Sequence, residues 1–180
     1  MLHTATVIGH SDRMQTKSSL NRTVTKLNRI QPWLRWWLLS WAFGRTVRFV
    51  RTAGVRFEYL SEERALLHLP NRKPVQNHIG SAHAAAIALL AETASGAVLG
   101  MNVPDDRVPL LKSMQVEYLK RAKGDLRAEA LLDAASRARI LREDKGEVLV
   151  TVQVTDESGE QPVQCRMLWA WVPKQRRQPA

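Results

Sequence analysis

The C-terminal two thirds of this chain contain six segments in which apolar and polar residues alternate. Every second residue from Val148 to Val154 is valine, and one face of the segment from Val163 to Trp171 carries only apolar residues. Such alternation is typical of β-strands with one buried face. Because most of the segments are joined by short connections, we expect an antiparallel sheet. The predicted strands are residues 55–59, 65–69, 110–119, 126–134, 148–154 and 163–171.

One long helix is predicted between the second and third strands, from Ala82 to Gly100. Ser81 is a favourable N-cap, and alanine dominates the segment. Gly96 lies inside the helix despite a cost of roughly 1 kcal/mol relative to alanine, which favours close packing of helix on sheet. A membrane-spanning helix is disfavoured, because it would place Glu92 in lipid at a cost of a few kcal/mol. The pattern therefore predicts an α+β fold with one central helix.

The N-terminal segment is basic and rich in tryptophan. Pro32 can begin a helix that is apolar from Trp33 to Phe43, and Gly44 is a plausible end for it. Two interpretations stay open for residues 18–43: they lie at a membrane interface, or they pack on the sheet domain and cover its binding site. Before Pro32, four apolar residues at helical spacing predict an amphipathic helix with a basic face: Leu20, Val24, Leu27 and Ile30.

Charge is distributed unevenly along the chain. Residues 1–51 hold nine Lys and Arg and one acid, whereas residues 52–173 hold 15 basic and 16 acidic residues. Nucleic-acid binding is disfavoured, because it would need the cations on the folded body. The predicted organisation is a tail and helical extension over residues 1–45, with the tail at 1–17, a folded domain over 46–173 and a basic tail over 174–180.

Several classes of site are excluded by missing motifs. The sequence has no serine-hydrolase elbow, phosphate-binding loop, dinucleotide fingerprint or zinc-protease motif. His78 and His83 have no cysteine or carboxylate at ligand spacing, so we predict neither a metal nor a cofactor. Cys165 cannot form an internal disulfide and lies in a predicted strand, which indicates a core residue. With no secretory signal pattern, a cytoplasmic protein is expected.

The residues that suggest chemistry are the loop from Asn77 to Ala85 and the acid Glu92. A carboxylate in an apolar helix is costly to bury, and desolvation would raise its pKa and make it a stronger base. A glutamate that faces solvent is the simpler alternative. The amides of His83, Ala84 and Ala85 would lie at the positive end of the helix dipole without partners in the helix, where they could polarise a carbonyl.

His83 and Glu92 are not expected to meet within one chain. Nine residues of helix span about 13 Å and two and a half turns, so the two side chains point to opposite sides. A two-fold dimer would bring Glu92 of one subunit near the loop of the other. We therefore expect a homodimer.

The order of these features resembles the PaaI-like hotdog thioesterases over roughly residues 46–172. A strand hairpin precedes the motif Asn77-x-x-Gly80-x-x-His83, and a small-residue helix places an acid nine positions after the histidine. The segment 118–122, Tyr-Leu-Lys-Arg-Ala, then ends the next strand. The N-terminal helix, and His-Ala-Ala in place of the commoner His-Gly-Gly, resemble an uncharacterised DUF4442-type subgroup.

The resemblance implies a hotdog fold, in which five or six antiparallel strands wrap around one helix, and an acyl-CoA substrate. Glu92 would be the catalytic acid, Asn77 would orient water or that acid, and His83 with the Ala84 amide would polarise the carbonyl. Coenzyme A would enter as part of the substrate, and a homodimer or a dimer of dimers would complete the site. Of the nearby cations Lys112, Lys120, Arg121 and Lys123, the pair Lys120 and Arg121 would hold its phosphates, unless they form a solvated basic turn.

Two other functions remain open. A hotdog dehydratase also pairs a histidine with an acid, but it usually has a proline-rich histidine loop that this chain lacks. A non-enzymatic acyl- or lipid-binding module would instead place Trp33, Trp36, Trp37 and Trp41 on a membrane surface. Turnover of acyl-CoA separates these possibilities.

Overall fold

The computed structural model describes residues 18–175, which form one curved antiparallel sheet around a central helix. The strands are β1 (Arg56–Leu60), β2 (Arg64–Leu69), β3 (Arg107–Tyr118), β4 (Leu126–Leu131), β5 (Gly146–Asp156) and β6 (Val163–Pro173). The helices are α1 (Ser19–Leu27), α2 (Pro32–Thr46), α3 (Arg48–Ala53), α4 (Ala84–Gly100) and α5 (Ala134–Arg142). The strand order is β1-β2-β4-β5-β6-β3, and all neighbours are antiparallel. This is the predicted hotdog fold.

The described residues leave out both chain ends. The tail predicted at residues 1–17, and residues 176–180 of the predicted basic C-terminal tail, lie outside them.

The predicted strand over 126–134 is too long. It ends at Leu131 because Asp133 caps the helix α5, with one of its carboxylate oxygens accepting a hydrogen bond of 2.8 Å from the amide of Ser136. The helix α5 was not predicted from the sequence. Asp133 is a favourable N-cap, so a local signal for this helix was present.

The central helix α4 lies very close to the concave face of the sheet and packs against β2 to β6. A Cβ atom on Gly96 would lie 3.0 Å from the indole of Trp169, which explains why glycine occupies the helix interior. The Nε1 of Trp169 donates to Ser95 Oγ at 3.0 Å and fixes the indole there. Cys165 is fully buried in β6, between Val152 and Val116 of the neighbouring strands, and burial raises the pKa of its thiol to about 11.

The N-terminal helix α1 packs on the body of the domain, at the C-terminal end of α4. Ser18 and Asn21 donate side-chain hydrogen bonds to the carbonyls of Gly100 and Met101, and Val24 is fully buried. The predicted amphipathic pattern is confirmed up to Leu27. This position is the end of α4 opposite to the Asn77 loop, so α1 does not cover that loop.

The tryptophan-rich helix α2 continues past Gly44, which was predicted to end it, and stops at Thr46. Gly44 is instead a close-contact position, because a Cβ there would lie 3.1 Å from the Cβ of Arg51 in α3, a helix that the sequence analysis missed. Phe43 stacks on Phe57 with ring centroids 4.2 Å apart, which anchors α2 on β1. None of the described helices is both long and apolar enough to cross a membrane.

Candidate active site

The loop before α4 is closed by the side chain of Asn77. Its Oδ1 accepts hydrogen bonds from the backbone amides of Ile79 at 3.0 Å and Ser81 at 3.1 Å, and the backbone amide of Asn77 donates to the Ser81 carbonyl at 2.8 Å. Gly80 has φ +75°, a left-handed conformation that glycine adopts without strain. Asn77 therefore fixes the path of the chain into the helix.

His83, and not the predicted Ser81, is the N-cap of α4. Its Nδ1 accepts from the amide of Ala85 at 3.1 Å, and its backbone amide donates to the Val75 carbonyl at 2.7 Å. The hydroxyl of Ser81 has another partner, since it accepts from Nε of Arg121 at 2.8 Å. The bond to Ala85 uses the Nδ1 lone pair, so the proton of the neutral His83 ring lies on Nε2.

Ala84 carries an unpaired amide at the first position of α4. Of the three amides that the sequence suggested, those of His83 and Ala85 have acceptors, whereas the Ala84 N–H has none among the described residues. The Ala84 carbonyl accepts from the Tyr118 hydroxyl at 2.9 Å. A free N–H at a helix N-terminus favours a negatively polarised oxygen.

A pocket of about 400 Å³ opens beside this amide. Four of the predicted site residues line it: Asn77, Ala84, Lys120 and Arg121. The rest of its lining is mostly apolar: Ile79, Ser81, Ala82, Ile87, Tyr118, Ala122 and Val163. The sequence marked Tyr118 only as the end of a strand. It also lines the pocket, and its hydroxyl donates to the first residue of α4.

The two predicted phosphate-binding cations differ in their contacts. Arg121 holds the Asn77 loop, with Nε donating to Ser81 Oγ and Nη2 to the Ile79 carbonyl at 2.7 Å. Lys120 forms an exposed ion pair with Glu160, a type of contact worth about 0–1 kcal/mol and easily exchanged for another anion. Lys112 lies eight residues before Lys120, within β3, where it pairs with Glu147.

Glu92 lies apart from this pocket, on another face of α4. It is partly buried, and desolvation by burial raises the pKa of its carboxyl, an effect that the nearby Thr93 hydroxyl partly offsets. That hydroxyl is 3.4 Å from Glu92 Oε2 but 2.7 Å from the Leu89 carbonyl, which is the better acceptor. No ion pair reaches Glu92 from residues 18–175. The face around it is the least buried of the helix and includes Ala85, Ala88, Leu89 and Gly96.

A second, smaller pocket of about 160 Å³ lies on the other side of the α4 N-terminus. His83, Ala85 and Leu89 line it from the helix, and Phe49 lines it from α3. Neither of the two pockets has Glu92 in its described lining. No three His, Cys, Asp or Glu side chains of residues 18–175 form a cluster that could hold a metal ion.

The sequence model of one family, described as a domain of unknown function (DUF4442), matches residues 35–172. The chain belongs to the DUF4442 family. A crystal structure of a Pseudomonas aeruginosa protein of unknown function, called a probable thioesterase, is 31% identical, with a TM-score of 0.68 over 76% of this DUF4442 chain and 95% of the other.

More distant structures share the fold of this DUF4442 protein. A putative thioesterase from Shewanella oneidensis is 16% identical, with a TM-score of 0.65 over 75% of this chain and 95% of that one. A Haemophilus influenzae thioesterase is 12% identical, with a TM-score of 0.60 over 73% and 87%. The family match and the 31% identical structure place the DUF4442 protein in the hotdog thioesterase superfamily. No curated protein matches its sequence.

Proposed function

We propose that this DUF4442 protein is an acyl-CoA thioesterase whose active sites each use residues of two subunits. The observation that carries the proposal is the unpaired Ala84 amide, which borders a mostly apolar pocket with Lys120 and Arg121 at its rim. An acyl-CoA has a thioester carbonyl oxygen that can accept from such a donor, an acyl chain that suits such a pocket and phosphates that such cations can bind. The 31% identical relative named a probable thioesterase supports the same chemistry.

In the proposed reaction the thioester oxygen accepts a hydrogen bond from the Ala84 amide. The partner subunit's Glu92, ionised, removes a proton from water, and the water oxygen attacks the carbonyl carbon. The carbon–sulfur bond then breaks, and coenzyme A leaves as the thiol with that proton. Direct attack by the carboxylate, followed by hydrolysis, gives the same products. Asn77 orients the water in either case, and His83 holds the first turn of the helix.

Glu92 suits the role of base because of its surroundings. Partial burial raises its pKa, and none of the described cations pairs with it, so its basicity is not reduced by an ion pair. Its position about 13 Å along the helix from His83 requires the second subunit.

A homodimer is supported by the edge of the sheet. Strand β3 has 12 residues, pairs with β6 on one side, and exposes Leu110, Met114 and Tyr118. A long apolar edge strand tends to associate with another strand. We propose that a second copy covers both β3 and the Glu92 face of α4, and that two such dimers can pair. Light scattering tests this, and a folded monomer at micromolar concentration would contradict it.

The catalytic test is Glu92→Gln, with Glu129→Gln as the matched control. Glu129 is also partly buried, but it lies on the outer face of β4, where it pairs with Arg64. We expect Glu92→Gln to lower kcat for acyl-CoA by at least about a hundredfold, the lower end for loss of a general base. It should also melt no earlier than wild type, because glutamine is less costly to bury than a carboxylate. A variant that melts early but hydrolyses acyl-CoA at the wild-type rate refutes the assignment.

A second candidate is a non-catalytic acyl- or lipid-binding module in the cytoplasm that contacts the inner membrane surface through residues 18–43. The exposed tryptophans of α2 favour it. Wild-type protein that binds acyl-CoA without releasing free thiol would support this function over hydrolysis.

A further inference from the structure

We infer that the exposed side of α2 docks the protein on an anionic lipid bilayer. Trp33, Trp37 and Trp41 form what is here called the tryptophan ridge, and their exposed fractions are 70%, 61% and 55%. Their spacing of four residues places the three indoles in one row along the helix. Indole rings favour the layer between lipid headgroups and acyl chains.

The packing of α2 holds the ridge outward. Leu39 is buried, Phe43 stacks on Phe57, and the Ser40 hydroxyl accepts from the Phe57 amide at 2.9 Å. The tryptophans thus belong to a rigid, anchored helix, and cannot turn inward without breaking these contacts. The helix α1 packs its apolar side on the body, so the docking surface excludes α1 and consists of α2 and α3.

Charge identifies the partner as anionic. Residues 32–53, which span α2 and α3, contain four Arg and no Asp or Glu. The Arg45 guanidinium lies 5.6 Å from the Trp41 ring centre, so a cation stands directly beside the ridge. Arg48 on α3 is also exposed. Aromatic rings flanked by cations fit a bilayer with anionic headgroups better than they fit a second copy, which would bring the same positive charges together.

The docking surface continues to the N-terminus of α4, on the side opposite the 400 Å³ pocket. Phe49 on α3 is 60% exposed and also lines the small pocket with His83, Ala85 and Leu89. An acyl chain leaving the bilayer at α3 would therefore reach the N-terminus of α4. The docking does not rest on the proposed hydrolysis.

The first test is sedimentation of the full chain with vesicles of equal parts phosphatidylcholine and phosphatidylglycerol. The variant W33S/W37S/W41S should bind at least about a hundredfold more weakly, because it loses the burial of about half of each indole surface in the bilayer. The matched control is L131S/L149S, which removes two leucines of similar exposure from the outer face of the sheet. It should bind like wild type.

The second test isolates charge. R45Q/R48Q should reduce binding about thirtyfold, whereas R142Q/R166Q, two exposed arginines of α5 and β6, should have little effect. Vesicles of phosphatidylcholine alone should bind wild type and R45Q/R48Q equally weakly.

Three results would overturn the docking proposal. The first is wild-type binding no stronger than that of W33S/W37S/W41S, and the second is equal loss in both arginine pairs. The third is wild type that does not bind vesicles but forms a larger species by light scattering, where the tryptophan variant does not. That result would mean that a second copy covers the ridge. Vesicle binding without any acyl-CoA turnover would refute the hydrolysis and leave the docking supported.

Discussion

Replacing Ala84 with proline tests the oxyanion role of its amide with little disturbance to the fold. Proline is favoured at the first position of a helix, because the N–H that it lacks has no partner in the helix. The preceding residue, His83, has φ −66° and ψ 142°, the extended conformation that a residue before proline prefers. The substitution removes no hydrogen bond, since the Ala84 N–H has no acceptor among the described residues.

The expected effects on activity and stability therefore have different sizes. Loss of one oxyanion donor lowers kcat by about 10²–10³ in other enzymes, and we expect a decrease of that size. Proline at a compatible site stabilises by about 0.4–1 kcal/mol through the unfolded chain, which is about 1–4 °C in Tm for a protein of this length. Release of coenzyme A thiol measures the first quantity, and thermal unfolding measures the second.

Ala134→Pro provides the matched control. Ala134 is the first residue of α5, and its cap Asp133 has φ −70° and ψ 162°, so the local geometry is the same at a place remote from the 400 Å³ pocket. This control should raise Tm similarly and leave kcat unchanged. If Ala84→Pro retains kcat within about threefold while Tm is unchanged or higher, the amide is not the oxyanion donor. An early-melting Ala84→Pro beside a normal Ala134→Pro would refute the claim that the amide is unpaired.

Three further predictions follow from the same site. Asn77→Ala removes two loop hydrogen bonds and should lower the unfolding free energy by about 1–2 kcal/mol in urea titration; an unchanged midpoint would contradict the role of Asn77 as a loop lock. Arg121→Lys should lower kcat, because it loosens the loop at Ser81, while Lys120→Gln should raise KM and weaken the salt dependence of KM. If Arg121→Lys instead raises KM and Lys120→Gln lowers kcat, Arg121 binds the phosphates and Lys120 supports the loop. Burial raises the folded-state pKa of Glu92 above 4.5, so its contribution to stability is present at low pH and is lost as the pH rises from about 4.5 through that pKa. The unfolding free energy of wild type relative to Glu92→Gln should therefore fall over that interval. Parallel curves of unfolding free energy against pH would show that burial does not perturb the pKa of Glu92.

Periodicity and residue size located most of the fold. Alternating residues marked all six strands, because each strand buries one face, and small apolar residues marked α4, because that helix is buried on most of its sides. The helix α5 was missed because the alternation of β4 was extended through Ala134, past a cap at Asp133. The short α3 was missed because six residues are too few for a period to appear.

The candidate site was predictable in its parts but not in its assembly. Ser81 and His83 are both able to cap a helix, and Ser81 is the stronger candidate by preference. A tertiary contact decided the outcome, since Arg121 takes the Ser81 hydroxyl and leaves the capping to the His83 ring. In a single chain the face of α4 around Glu92 is only partly buried. That a second subunit covers this face stays a prediction.

Because Cys165 is buried, its reactivity with thiol reagents measures how often the sheet opens. It is the single cysteine of the chain, lies in the strand that joins β5 to the edge strand β3, and has a thiol whose pKa is raised to about 11. A thiol reagent can therefore react only during moments when β3 or the end of the sheet separates. The labelling rate at increasing protein concentration would then measure how strongly association protects that edge, with no added probe.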